Sequence, residues 1–414
     1  MKVVADLHIH SKYSRATSPQ MNLEDLDKWA KFKGIDVLAT GDFTHPEWFS
    51  ILKEKLESAE PGLFKIKDSR TRFILNVEIS SVYKKGEKVR KIHNLVFSPS
   101  FEAAEKINAQ LGWIGNLKSD GRPILGLDSK ELAKIVFNIS KDCFIVPCHI
   151  WTPWFSLFGS KSGFDSIEEC FEEYSKYIFA VETGISSDPA MNWRLSELDN
   201  ITLLSNSDAH SPAKIGREAN IFELEDLSYF SIKEAILDKD PKRFLSTIEF
   251  YPQEGRYHYD GHRKCNIRLS PEETKKYNNI CPVCGKELTL GVLGRVEKLA
   301  DRPKGFKPEG AIPFYSLIPL IEVVAESLGM TTASNEVSNN YFRLVKEFRN
   351  EFNVLLNASR QDIEKIVFPE IAEGIIRMRE GKVFIDPGYD GVYGKVRIFS
   401  KEEKGKDFKQ ETLF

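Results

Sequence analysis

The stretch Asp6-Leu7-His8-Ile9-His10 sets two imidazoles one residue apart at the end of an apolar run. In an extended chain residues i and i+2 point to the same side, so His8 and His10 can grip one divalent ion. Ser207-Asp208-Ala209-His210 repeats that spacing with a carboxylate and an imidazole, while "NVEIS" supplies Glu78 and "VPCHIW" supplies His149. Imidazole nitrogens and carboxylate oxygens are the donors that hold water-activating divalent metals with a position left open. A second set differs in kind. His262, Cys265, Cys281 and Cys284 follow the pattern H-x2-C-x15-C-x2-C, with Gly285 completing a knuckle. That is the spacing of a closed structural zinc site, with His258 competing with His262 as fourth ligand.

The elements that must position these residues are legible as patterns. Seven short β-rich runs ("KVVADLHIH", "IDVLATGDF", "RFILNVEIS", "KIHNLVFSP", "CFIVPCHIW", "IFAVETGIS" and "ITLLSNSDAH") are mostly separated by amphipathic helical patterns such as "NLEDLDKWAKFKG". Continuous apolar runs of this kind are expected of parallel strands buried on both faces, and strand–helix alternation predicts an α/β sheet or barrel over residues 1–245. Most of the runs end in a metal-capable residue: His8 and His10, Asp42, Glu78, His149, Glu182, Asp208 and His210. In α/β barrels the C-terminal strand ends form one rim, so these residues are expected to converge. His93 lies near the start of its run, away from that rim.

Residues 246–310 are rich in turn formers, and over residues 251–310 they carry twelve Lys and Arg against eight Asp and Glu. With Tyr257 and Tyr259 interleaved, this local basic surplus suits nucleic acid, against the alternative of a solvated face. Residues 311–399 are mainly helical. "FYSLIPLIEVVAESLG" is predicted to be a helix ended by Gly329, and a second is capped by Ser359, kinked at Pro369 and stopped by Gly381. A small β-hairpin unit follows in "KVFIDPGYDGVYGKVRIF". Residues 400–414 are expected to form a flexible lysine-bearing tail, although its four Lys are matched by four Asp and Glu. Its Gln410, Leu413 and Phe414 resemble an abbreviated sliding-clamp binding peptide, which would make a clamp a partner.

At 414 residues, 41% hydrophobic and a net charge of −3, the composition is that of a folded multi-domain protein and excludes a disordered chain. No apolar run reaches the roughly 18 residues that span a bilayer, so no membrane partner is expected. The chain passes from Met1 straight into a strand-like run without a signal-peptide pattern, so a cytoplasmic location is expected. The six cysteines do not read as a disulfide framework; Cys143, Cys148 and Cys170 sit in apolar or helical patterns as buried thiols.

Taken in order, "DLHIHSKYS", "IDVLATGDF", "NVEIS", "VPCHIW" and "SNSDAH" resemble the motifs of the polymerase and histidinol phosphatase (PHP) superfamily. The resemblance covers about residues 1–245. It implies a distorted (β/α)7 barrel and a two- or three-metal cluster of zinc, magnesium or manganese. It implies metal roles for His8, His10, Glu78, His149, Asp208 and His210, with Glu78 a bridge between ions, and it matches His93 to a further histidine ligand. Two positions depart from the pattern: Phe43 stands where the superfamily usually has a histidine, and Arg15 stands at the third ligand of the first motif. Both losses fall on one of three metal positions. Asp42 or His45 would have to compensate there. A guanidinium cannot bind a metal, so Arg15 lies either against a phosphate oxygen or in a surface ion pair.

With the cysteine segment added, the whole chain is similar to the endonuclease Q family. That resemblance implies a DNA-repair nuclease that uses metal-activated water to cut duplex DNA on the 5′ side of hypoxanthine, uracil, xanthine or an abasic site. The zinc module and helical region would help grip the duplex. A flipped base needs flat apolar walls, and "HIWTPWFSLFG" offers Trp151, Trp154 and Phe155 as wall or wedge. The rival readings are a small-molecule phosphatase on the same barrel and a catalytically dead barrel serving as a DNA-binding scaffold. About 170 residues beyond the barrel argue against the first, and the retained ligand set argues against the second.

Overall fold

The computed structural model describes residues 1–400 and Glu403; the clamp-peptide residues Gln410, Leu413 and Phe414 lie outside the described residues. The protein is a mixed α/β structure. Each of the seven apolar runs contains a strand: Lys2–Asp6, Val37–Ala39, Arg72–Lys85, Lys88–Ser98, Phe144–Pro147, Ala180–Glu182 and Thr202–Leu204. All but the last two belong to one 11-stranded sheet, and Ala180–Glu182 and Thr202–Leu204 pair in parallel with each other.

The sheet is not uniformly parallel, which corrects the expectation from the continuous apolar runs. Lys2–Asp6 and Val37–Ala39 pair in parallel, as do Val37–Ala39 and Arg72–Lys85. Arg72–Lys85 then turns back on Lys88–Ser98 as a long antiparallel hairpin, and Phe144–Pro147 is antiparallel to the latter. The hairpin is buried on both faces: one packs on helices Phe101–Gly112 and Ser129–Ile139, while the other, which carries Asn76, Glu78, Ser80 and His93, lines the interior. Leu75, Val77 and Ile79 alternate with Asn76, Glu78 and Ser80, so the apolar run is continuous only at its start, and the expectation of parallel strands overlooked that alternation. Two strands absent from the sequence reading, Ala219–Glu223 and Phe244–Glu249, extend the sheet on the other side of Lys2–Asp6.

The flanking helices start at side-chain caps: Asn22 accepts from Asp25 N, Ser100 from Ala103 N and Asp128 from Lys130 N. Two helical expectations in the third segment change. Phe314–Ser316 is a strand pairing in parallel with Thr247–Glu249, and the helix begins only at Leu320, after Pro319. Pro369 does not kink a helix. It opens a new one, Pro369–Arg379, from the first-turn position where its missing N–H costs nothing.

The helical region docks through a buried charge. Lys33 Nζ lies 2.7 Å from Glu351 Oε2, and Glu351 also accepts from Leu320 N (3.0 Å) and Tyr341 Oη (2.8 Å). The hairpin Phe384–Asp386/Lys395–Arg397 folds back on residues 252–254, and Tyr389 forms an isolated bridge to Tyr259. Among the described residues no helix is long and apolar enough to cross a membrane. Lys33→Met leaves Glu351 buried and unpaired, so we expect a loss of about 3–5 kcal/mol in denaturant unfolding. A change within about 1 kcal/mol, the median worth of exposed pairs, would contradict a docking role for the pair.

Candidate metal centre and substrate cavity

After Asp6 the first strand continues as extended chain to His10, with Ile9 in a parallel bridge to Ala209 and His10 N donating to Ala209 O at 3.1 Å. The loop carrying Asp208 is fixed from below. Leu7 N donates to Asn206 Oδ1 (3.0 Å), and buried Asp6 accepts from Ser207 N (3.0 Å) and Gly216 N (2.8 Å). Asp208, Asp42 and His149 all sit at positive φ, a conformation of non-glycine residues that clusters at functional sites.

These constraints bring two groups together. Each residue of His8, His10, Glu78 and Asp208 offers a ligand atom within 4.8 Å of the others, and so does each of Glu78, His93 and His149. Glu78 belongs to both. Its Oε2 lies 3.1 Å from His10 Nε2 and its Oε1 lies 2.6 Å from His93 Nδ1 and 3.2 Å from His149 Nε2. His93 arrives through the hairpin register: it pairs with Ser80, two residues along the same face from Glu78. His8 Nε2, His10 Nε2 and Asp208 Oδ1 are buried without a hydrogen-bond partner, and they converge. Orphaned buried donors of this chemistry fit a divalent cation.

The electrostatics agree. Burial alone would push the His8 imidazole down, but Glu182 and Asp208 hold it well above its ordinary value. Burial likewise opposes the charged form of His10, which Asp208 and Asp42 raise. Burial would raise Glu78, yet His93 and Arg122 hold it well below the usual carboxylate range. Burial pushes His93 down to about 4, leaving it neutral and able to bind a cation at neutral pH.

The supporting contacts fix ring orientation. Glu182 Oε2 accepts from His8 Nδ1 at 2.9 Å, which leaves Nε2 facing the centre. Asp42 Oδ1 does the same for His10 Nδ1 at 3.1 Å. Ser80 Oγ meets His93 Nε2 and Ser156 Oγ meets His149 Nδ1, each at 3.1 Å. Carboxylate–histidine pairs of this kind select the tautomer of a metal-binding ring.

Other sequence-nominated residues are placed differently. His210 joins neither group; its Nδ1 lies 2.9 Å from Asp208 O, and its ring stands 4.6 Å from that of His10. His45 heads the Pro46–Lys55 helix, stacks on Tyr13 at 4.4 Å and also joins neither group. Arg15 is 72% exposed and ion-paired to Asp120 (Nε–Oδ2 3.2 Å), so its guanidinium is engaged away from the two groups. Two residues that matter here were not assigned a role from sequence. Glu182 stood out only as a strand end, and Arg122, whose Nη1 lies 3.0 Å from Glu78 Oε2, sits in the patternless "KSDGRP" turn.

Beside the centre lies a cavity of about 480 Å³. His93, His149 and Asp208 reach into it, and Trp154, Phe155, Tyr257 and Tyr393 line it. Trp151 does not belong to it: the indole is fully buried, packs on Phe158 and donates from Nε1 to Asn192 Oδ1 at 2.8 Å. His258, pushed down to about 4 by burial, lines the same cavity.

The cysteine segment forms its own group. His262, Cys265, Cys281 and Cys284 each offer a ligand atom within 4.8 Å of the others, and His258 is not among them. The knuckle closes with Gly285 N on Cys281 O (2.9 Å), and Gly285 takes the positive φ of 70° that this turn requires. Burial opposes ionisation of Cys281, but the N–H groups of Cys284 and Val283 and the His262 ring hold its thiol down to about 6, so it is mostly thiolate at neutral pH. Arg295, from helix Val292–Leu299, locks this segment to the aromatic loop by donating to Phe158 O and Phe164 O at 2.9 Å each.

A mixed α/β protein with two ligand groups sharing one carboxylate, beside a separate group of one histidine and three cysteines, defines a candidate binuclear metal protein with a second, structural-type site. The comparisons are more particular. Over its full length the chain superimposes on the lesion-specific endonuclease PfuEndoQ from Pyrococcus furiosus, with TM-score 0.86, 31% identity and 100% of both chains covered. An endonuclease Q complex with a 27-mer duplex substrate carrying an abasic lesion at its active site matches with TM-score 0.85 at 31% identity, over 97% of this chain and 98% of that one. The chain belongs to the endonuclease Q family. The model of the MJ0043 C-terminal domain matches residues 319–382. The uncharacterized protein MJ0043 of Methanocaldococcus jannaschii is 37% identical over 74% of this chain, which spans only 39% of that protein's length. The uncharacterized protein YqxK of Bacillus subtilis is 28% identical, covering 96% of this chain and 99% of its own length.

Glu182→Gln should weaken metal binding in the His8 group by about 10–100-fold in chelator competition while leaving the cysteine group loaded. Cys281→Ser should do the converse, lowering bound zinc by about one equivalent and reducing thermal stability. Parallel loss of all metal in both variants would contradict two independent sites.

Proposed function

We propose that this protein is a DNA-repair endonuclease that hydrolyses the phosphodiester on the 5′ side of a deaminated base (hypoxanthine, uracil or xanthine) or an abasic site. The observation that carries the reading is Glu78, shared by two metal-ligand groups next to an aromatic-walled cavity, in a chain of the endonuclease Q family. Residues 1–245 make up a distorted (β/α)7 barrel of PHP type, 246–310 a zinc module, and 311–399 a mainly helical DNA-gripping region.

Asp208 with His8 and His10 would hold one divalent ion, His93 and His149 a second, and Glu78 both; zinc, magnesium and manganese all suit this donor set. When bound, the ions supply Lewis-acid stabilisation of the charge that builds on the phosphoryl and leaving oxygens. The protein's own part is positional. Glu182 and Asp42 keep the imidazoles oriented, and the buried rings around Glu78 exclude bulk water. Trp154 and Phe155 offer flat faces to an extruded base, whose extrusion costs a few kcal/mol and least at a damaged pair. His262, Cys265, Cys281 and Cys284 would hold a structural zinc, fixing the segment that follows Tyr257 and His258.

A duplex with a single deoxyinosine should be nicked 5′ to the lesion with divalent metal and remain intact with chelator, while the undamaged duplex remains intact throughout. Glu78→Gln should cost more than the roughly 100-fold that supporting residues command. Phosphate release from small esters without any duplex nicking would overturn the reading in favour of a phosphatase, and lesion binding without cleavage in any divalent metal would favour a scaffold. Trp154→Ala should cost about 1–3 kcal/mol of stacking on the deoxyinosine duplex and less on an abasic duplex, which has no base to stack. Equal losses on both would remove Trp154 from the base pocket.

A further inference from the structure

Beside Asp42, where the resemblance would put a third metal, the described residues leave no room for one. Asp42, the carboxylate nearest that position, has both oxygens committed: Oδ1 to His10 Nδ1, and Oδ2 to Ser11 N (2.6 Å), Ser11 Oγ (2.6 Å) and Ser14 Oγ (2.9 Å). Phe43 is fully buried and offers no donor, and His45 joins no ligand group. The space itself is taken by the turn Asp120-Gly121-Arg122. A Cβ on Gly121 would stand 2.3 Å from Asp42 Oδ2 and 2.5 Å from Ser14 Oγ, so only a glycine passes and no hydrated ion has room between.

That turn is stapled to the first motif. Gly121 N donates to Tyr13 O (3.0 Å), Asp120 pairs with Arg15, and Arg122 N donates to Asp120 Oδ1 (3.1 Å). The staple delivers one side chain to the centre. Arg122 Nη1 sits on Glu78 Oε2 at 3.0 Å while the side chain stays 26% exposed. A guanidinium has five donors in a planar fork, and that fork matches two phosphate oxygens. One arm on the bridging carboxylate leaves the other arms for a ligand.

We propose that Arg122 supplies the third positive charge of this centre: two divalent ions on Glu78 and one fixed guanidinium together grip the non-bridging oxygens of the scissile phosphate. The proposal rests on the nuclease reading. It makes Arg15 a positioning residue, holding Asp120 and through it the turn, and makes Arg122 the residue that touches phosphate. Unlike an ion, this third charge cannot be chelated.

Elemental analysis and a stereochemical probe test it together. Wild-type protein and Arg122→Lys should each bind two ions besides the cysteine-held zinc, about three per chain; a third ion in the centre would overturn the proposal. Duplexes with one deoxyinosine are then prepared with sulfur replacing either non-bridging oxygen of the 5′ phosphate, each diastereomer separately. Arg122→Ala and Arg122→Lys should cut the all-oxygen duplex about 100-fold more slowly with metal content unchanged. Both should also show a smaller penalty than wild type for one diastereomer. Identical diastereomer penalties in wild type and both variants, or a rate loss that follows a loss of metal, would reduce Arg122 to a structural partner of Glu78 and overturn the proposal. Failure of the wild-type protein to nick the all-oxygen duplex would instead sink the nuclease reading, and this proposal with it.

Discussion

A single buried negative charge organises this protein. Glu78 is almost wholly removed from water, and an isolated carboxylate there would be costly enough to neutralise by taking up a proton. Instead His10 and Arg122 face one oxygen and His93 and His149 the other. The carboxylate therefore stays ionised and is presented on two sides at once. Removing it would leave the imidazoles of two groups and the Arg122 guanidinium without their common counter-charge.

The surrounding structure supplies that arrangement from several parts of the sheet. The first strand brings His8 and His10, and the Arg72–Lys85/Lys88–Ser98 hairpin brings Glu78 and His93 on one face. Loops at strand ends bring His149 and Asp208 in strained backbone conformations, that of Asp208 held by Asp6 and Asn206. Beyond the sheet, buried Arg295 ties the helix that follows the cysteine group to the aromatic loop, while Lys33 and Glu351 seat the helical region. Chemistry at the centre and access to it are thus held by separate contacts.

Much of the centre was legible because strand geometry is local. The i, i+2 spacing of His8 with His10 and the strand-end positions of His149 and Asp208 needed no tertiary knowledge. Glu78, expected at a strand end, instead lies in the middle of Arg72–Lys85 because that strand runs on into the hairpin. His93 was harder, since its place depends on the hairpin register that sets it opposite Ser80. Glu182 looked like any other strand end, and only the distance to His8 reveals its role. Arg122 lies in a polar turn without periodicity, and the turn's close approach to Asp42 is a contact between distant segments. Trp151 was misplaced for the opposite reason: a string of aromatics says nothing about which ring faces a cavity and which the core. Likewise "FYS" at 314–316 reads as helix until its parallel partner at 247–249 is known.

The most direct measurement is anomalous diffraction from crystals of the protein loaded with divalent metal. The account predicts two peaks flanking Glu78, about 3.5–4 Å apart, one bounded by His8, His10 and Asp208 and the other by His93 and His149, with none beside Asp42. A lone peak, or two peaks without Glu78 between them, would contradict it.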